Sequence, residues 1–294
     1  MKKNLFLVVI ASITLLTNCS KSDSFIGPFV PVVPPVIPPA VPASNPEDQS
    51  LYMGNPSGAT DNENNFNNYL VDEGYYAISY SRDRGTANWV SWHVMASDFG
   101  NVPRQDDFRM NDRLPITWYR PDDLSYSGSG FDRGHFTPSS DRTATFPANS
   151  STFLMSNIFP QAPYNNQVTW ANLETYCRDL VVTGHELYII AGAFGEGGTG
   201  NNGFATSIDN GRITVPSTLW KVIVVLPNGT NDMARVNANT RVIAVSMPND
   251  NGTTNTWKNY RVSVNDIESA TGYDLLSNMP QAFEDLLEAQ VDDL

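Results

Sequence analysis

The sequence predicts an α+β domain, a central and mostly antiparallel sheet flanked by helices. Two observations predict it. Short runs of β-branched and aromatic residues recur between Tyr75 and Met247, whereas a long helical period occurs once in that interval, from Gln167 to Val182. Amphipathic stretches then gather at the C-terminal end, from Val264 to Leu287, with breaks at Thr271-Gly272 and Pro280. With 294 residues and 40% hydrophobic content, the chain can bury a substantial core.

The chain opens with Lys2-Lys3 and an apolar run from Leu5 to Thr17. That run is too short to cross a bilayer as a helix and reads as an export leader. Leu16-Thr17-Asn18-Cys19 resembles a bacterial lipobox, with Asn18 where a smaller residue is usual. Residues 1–19 are therefore expected to be a lipoprotein-type signal peptide. Lipid on Cys19 would anchor an exported protein facing the periplasm or the cell exterior; the other reading is a soluble secreted protein. Residues 20–50, rich in Pro-Pro and Val-Pro steps, read as an extended tether. At ~3.1 Å per residue, about twenty such residues reach roughly 60 Å.

Residues 51–294 are expected to form the globular domain. Tyr75 to Tyr80 reads as a strand, and Trp89 to Met95 as a central one, because it shows little polar alternation. His93 within it is read as a core residue and His185 as a surface or turn residue. Residues 104–123 are a polar connection ending in Tyr126-Ser127-Gly128-Ser129-Gly130. No Gly-Lys-Ser/Thr follows, so this is not a nucleotide-binding P-loop. Leu187 to Ala191, Leu219 to Leu226 and Arg241 to Met247 read as further strands. Cys177 stands alone in the domain and is read as a buried small hydrophobe, so the core must hold the fold without a disulfide.

The net charge of −13 argues against a broadly basic, nucleic-acid-coating surface. Arginine, however, gathers in the central third, with Arg82, Arg84, Arg104, Arg109, Arg113, Arg120, Arg133, Arg142 and Arg178, while acidic residues crowd the C-terminus. A local basic cleft on an acidic protein fits that distribution. Asp132-Arg133-Gly134-His135 is answered some thirty residues later by Asn157-Ile158-Phe159-Pro160-Gln161, then Asn166, Glu174 and Arg178. A neutral histidine can take a proton from water near neutral pH, and a divalent cation can stabilise phosphate charge. Arginine forks clamp non-bridging phosphate oxygens. The combination points to metal-dependent phosphodiester cleavage.

These segments resemble the DNA/RNA non-specific endonucleases with a ββα-metal active site. The resemblance rests on Asp132-Arg133-Gly134-His135, on the segments 152–161 and 165–174, and on Pro103 to Arg109 and Thr271 to Asp274. It spans roughly residues 51–280. It implies an embedded ββα motif and cleavage of DNA and RNA to 5′-phosphates regardless of sequence. It further implies His135 as general base and Asn166 as the sole protein ligand of one Mg²⁺ or Mn²⁺. Glu174 would orient the ion's waters. Arg133 and Arg104 would bind the scissile phosphate, Arg178 would contact substrate, and Asn157 and Gln161 would brace the site. Asp132 is read as a turn former or ion-pair partner. The alternatives are an inactive nucleic-acid-binding surface lipoprotein of the same fold and a phosphodiesterase for small nucleotides.

Overall fold

Seven strands pair antiparallel throughout, in the order β1-β2-β3-β6-β11-β12-β13. They are β1 (Tyr69–Asp72), β2 (Ala77–Ser81), β3 (Thr86–Val94), β6 (His185–Phe194), β11 (Thr218–Pro227), β12 (Arg241–Pro248) and β13 (Arg261–Val262). This computed structural model describes residues 49–294. The expected leader, Cys19 and the tether up to residue 48 lie outside the described residues.

The central strands read as continuous apolar runs because both faces of the sheet are covered. Along β3, Val90, Trp92 and Val94 enter one core while Trp89 enters the other. The same alternation divides Leu219 and Ile223 from Trp220 and Val222 on β11, and Ile243 and Val245 from Val242 and Ala244 on β12. Period-two geometry sends neighbours to opposite faces. With apolar material on each, no polar alternation survives in the sequence.

One face packs against α2 (Ala171–Val182) through Trp170, Leu173, Cys177 and Val181. Cys177 is buried there, and burial pushes its thiol up to about 12, so it is inert packing. The opposite face is covered by residues of the C-terminal segment, including Val264 and Ile267 of α4 (Val264–Thr271), then Leu275, Leu276 and Met279, and Leu287 of α5 (Gln281–Glu288). A capping box between Ser263 and Asp266 starts α4, and Gly272, at φ 74°, ends it. Two further helices are short, α1 (Phe146–Ser151) and α3 (Asp232–Arg235).

A separate ribbon pairs β4 (Asp132–His135) with β5 (Ile158–Gln161), with His135 opposite Ile158 and Asp132 opposite Gln161. The Gly/Asn-rich stretch after β6 is more ordered than a plain loop. It holds β7 (Gly198–Gly200) paired with β8 (Gly203–Ala205), and β9 (Ser207–Ile208) paired with β10 (Ile213–Thr214). No helix among the described residues is long and apolar enough to cross a membrane.

Candidate active site

The β4–β5 ribbon and the helix after it form a ββα unit. The helix begins as a π-helical turn over Asn165–Trp170 and continues as α2. Such wide turns arise where the backbone is held from outside its own ladder. Here the holders are side chains and carbonyls at the end of β12 and just beyond it. Asn249 Oδ1 accepts from Ala162 N (2.7 Å), and Asn251 Oδ1 accepts from Tyr164 N (2.9 Å). Thr169 Oγ1 donates to the Thr254 carbonyl (2.6 Å), and Asn165 Nδ2 donates to the Pro248 carbonyl (3.1 Å).

Gly134 is required by its partner strand. A Cβ at that position would come within 2.6 Å of Gln161 Cβ, and Gln161 is fully buried with Nε2 donating to Asn165 Oδ1 (2.7 Å). Asn157 is fully buried as well. Its Oδ1 accepts from Thr137 N, and its Nδ2 donates to the carbonyls of Thr137 and Thr152. These bonds fix the chain just after His135.

His135 sits in an aromatic corner, 5.2 Å from the Phe153 ring centroid and 5.6 Å from that of Phe108. Its Nε2 is shielded and has no hydrogen-bond partner among the described residues. Burial, then the nearby Arg104 charge, hold its pKa down at about 3, while a hydrogen bond to the Arg133 backbone works the other way. The imidazole is therefore neutral at physiological pH. The two arginines lie on the same rings, Arg104 over Phe153 (4.7 Å) and Arg133 over Phe108 (4.0 Å). Arg104 also donates to Asp106 Oδ1 (2.6 Å) and Ser139 Oγ (2.9 Å). Arg133 is exposed and forms no ion pair among the described residues.

Arg104, Phe108, Asp132, Arg133 and Asn166 line one open cleft of about 400 Å³, together with Tyr126 and Phe131. Asn166 Nδ2 donates to Asp132 Oδ2 (2.8 Å), which also accepts from Gln167 Nε2 (2.8 Å). Asp132 thus sets the rotation of the Asn166 amide, a task that reading it as a turn former or ion-pair partner missed. An amide oxygen so held, with the Asp132 carboxylate beside it, suits a hard cation that prefers oxygen ligands and retains water. The residues fit such an ion.

Glu174 and Arg178, further along the helix, do not line the cleft. Glu174 lies 4.0 Å from Lys221 Nζ. Burial pushes its carboxyl up to about 7, opposed by Lys221 and reinforced by Asp141. Lys221, 1% exposed, sits 4.4 Å from the Trp170 ring centroid and 5.4 Å from that of Trp92. Arg178 Nη1 lies 3.4 Å from buried Asp141, and its Nη2 donates to Thr175 Oγ1 (3.1 Å). Lys221, Phe108 and Phe153 carried no mark in the sequence that separated them from ordinary core residues. His93 is in the buried interior, 3.2 Å from Glu186 Oε2, and His185 is the first residue of β6.

A ribbon and helix that set a neutral histidine beside a cleft holding a fixed amide and Arg133, with Arg104 added from a preceding loop, define a class, the phosphodiester hydrolases built on a ββα unit. Residues 53–282 match the family model of the DNA/RNA non-specific endonucleases. The chain is 44% identical over 284 residues to a protein named Nuclease from Nostoc sp., covering 97% of each. It is 33% identical over 230 residues to Nuclease C1 from Cunninghamella echinulata var. echinulata, covering 76% of this chain and 85% of that one. A chain in the crystal structure of the EndoG/EndoGI complex superposes with a TM-score of 0.65 at 22% identity, covering 82% of this chain and 95% of that one, which supports the fold. The chain belongs to the DNA/RNA non-specific endonuclease family, and it is an endonuclease.

Proposed function

We propose that the domain hydrolyses phosphodiester bonds of DNA and RNA, single- or double-stranded and regardless of sequence, with one Mg²⁺ or Mn²⁺ ion, leaving 5′-phosphates. The observation that carries this reading is His135 Nε2, a shielded and unpartnered imidazole nitrogen flanked by Arg104 and Arg133 beside the Asn166 cleft.

A phosphodiester in the cleft would meet the Arg133 fork first, since that residue is exposed and its guanidinium rests over the Phe108 ring. Arg104 would contribute from the Phe153 side. The ring's bond to the Arg133 backbone leaves Nε2 as the free lone pair, placed to take the proton of an attacking water. An anion between the arginines would counter the positive charge that helps hold the histidine down, raising its basicity as substrate arrives. A divalent ion held by the Asn166 oxygen, its waters oriented by Glu174, would stabilise charge on the phosphate and on the departing O3′. Because the nucleophile is water, a 2′-hydroxyl is neither needed nor excluded, and the cleft offers phosphate contacts rather than base readers. Arg178, bonded to Asp141, would support the helix and reach substrate only by leaving that partner.

We propose further that residues 1–19 direct export and that lipid on Cys19 tethers the domain through residues 20–50. Lys2-Lys3, the short apolar run and the lipobox-like ending support this reading.

The test of the catalytic reading is nicking of supercoiled plasmid, and digestion of RNA, by the full-length protein with Mg²⁺ and with chelator. Activity is expected on both substrates, abolished by chelator and restored by added Mg²⁺ or Mn²⁺. His135→Ala should fold normally and lose ~10²–10⁴ in turnover. Survival of RNA under conditions that degrade DNA fully, or a well-folded His135→Ala with near-native rates, would reject it.

A further inference from the structure

A second group of carboxylates lies away from the cleft, on the opposite face of the sheet, where the C-terminal segment packs. Glu268 is on α4, Asp274 on the loop after it, and Glu288 at the end of α5. One carboxylate oxygen from each lies within 4.8 Å of the others. Glu288 is only 7% exposed, yet its Oε1 is shielded and accepts no hydrogen bond among the described residues. Glu268, Glu284, Asp274 and Asp285 all lie close enough to act on its charge, and Glu284 is itself 6% exposed.

A buried carboxylate set beside several other carboxylates is costly unless something positive joins them. We infer that Glu268, Asp274 and Glu288 form a structural site for one calcium-like divalent cation, separate from the catalytic centre. Calcium takes oxygen ligands at about 2.3–2.6 Å, so oxygens on opposite sides of one ion stand up to about 5 Å apart, the span of this cluster. Asp274 is exposed, which gives the ion an entry and room for water ligands. Magnesium suits the site less well, because it gives up its water reluctantly.

The site would act as a clasp. Glu268 Oε1 already accepts from Leu275 N (2.8 Å), folding the loop back on α4. The same loop holds the N-terminal part of the domain, with Asp274 N donating to the Pro56 carbonyl (2.9 Å) and Asn278 N to the Met53 carbonyl (3.2 Å). A cation joining α4, loop and α5 would therefore pin the start of the domain as well as its end.

The experiment is calcium titration by calorimetry, with thermal melts, on the full-length protein freed of metal. Asn166→Ala serves as a background in which binding at the catalytic cleft is impaired. Wild type and Asn166→Ala should both bind one calcium in this region and melt higher in CaCl₂ than in chelator. Glu288→Gln and Asp274→Asn should each weaken that binding by about tenfold or more and lose the calcium-dependent rise in melting temperature. In chelator both variants should melt at or above wild type, since each removes like-charge repulsion, and both should keep wild-type nicking rates in Mg²⁺. Absence of any calcium binding in Asn166→Ala would overturn the proposal, as would calcium binding of wild-type strength in both carboxylate variants. Neither result bears on the catalytic reading.

Discussion

His135 carries a signature that can be read without substrate. Its pKa lies at about 3 in the folded protein, from burial and then Arg104, against about 6.5 in an unfolded chain. Between those values the unfolded chain binds a proton that the folded protein refuses, so this group's effect on stability is fully felt only below that window. Above about pH 6.5 it contributes nothing, and as pH falls from about 6.5 towards 3 it makes the protein progressively less stable. His135→Gln should flatten that limb of the urea-denaturation profile; an unchanged slope would show that the ring is not held neutral. A second residue-scale consequence belongs to Asp132. With its carboxylate no longer accepting from Asn166 Nδ2, the amide is free to rotate. Asp132→Ala should raise the Mg²⁺ concentration for half-maximal activity ~10–100-fold, with much of the rate recovered at saturating metal. A loss of rate that metal cannot restore would assign Asp132 a different task.

At the scale of elements, the ribbon is tight because Gly134 lets β4 lie against Gln161. Gly134→Ala should cost about 1–3 kcal/mol, since Gln161 is buried and bonded to Asn165 and cannot swing away. Equal urea midpoints for variant and wild type would contradict that packing. The main strands were legible in the sequence, each extending somewhat beyond its apolar run at one or both ends, because burial on both faces leaves an uninterrupted apolar stretch. The ribbon was legible as chemistry but not as strand. Asp132-Arg133-Gly134-His135 has no apolar alternation, and Pro160 interrupts the segment that pairs with it. The helical period from Gln167 was visible, but its π-helical opening was not. That opening depends on Asn249, Asn251 and Thr254, which lie some eighty residues away and have the composition of any polar loop.

Over the whole molecule, the acidic balance and the local arginines divide the work. Nearly all of the residues proposed for phosphate chemistry fall within residues 104–178, so their grouping could be read directly, whereas Lys221 reaches Glu174 only through the folded sheet. If the proposed leader works as a lipoprotein signal, the full-length protein should partition with membranes and Cys19→Ser should release it, because firm anchoring takes more than one acyl chain. A soluble wild-type protein, or a Cys19→Ser form that stays with the membrane, would count against the anchor. The ribbon that carries His135 also shares no strand pairing with the seven-stranded sheet. It is joined instead by side chains, notably Asn249 to Ala162 N and to the Pro160 carbonyl, and Thr86 Oγ1 to the Ile158 carbonyl. Amide hydrogens of the ribbon should accordingly exchange with deuterium as a group of their own, sooner than those of the central strands. The proposed catalytic ribbon would then be a cassette clipped onto a rigid platform, able to loosen and reseat while the platform stays folded.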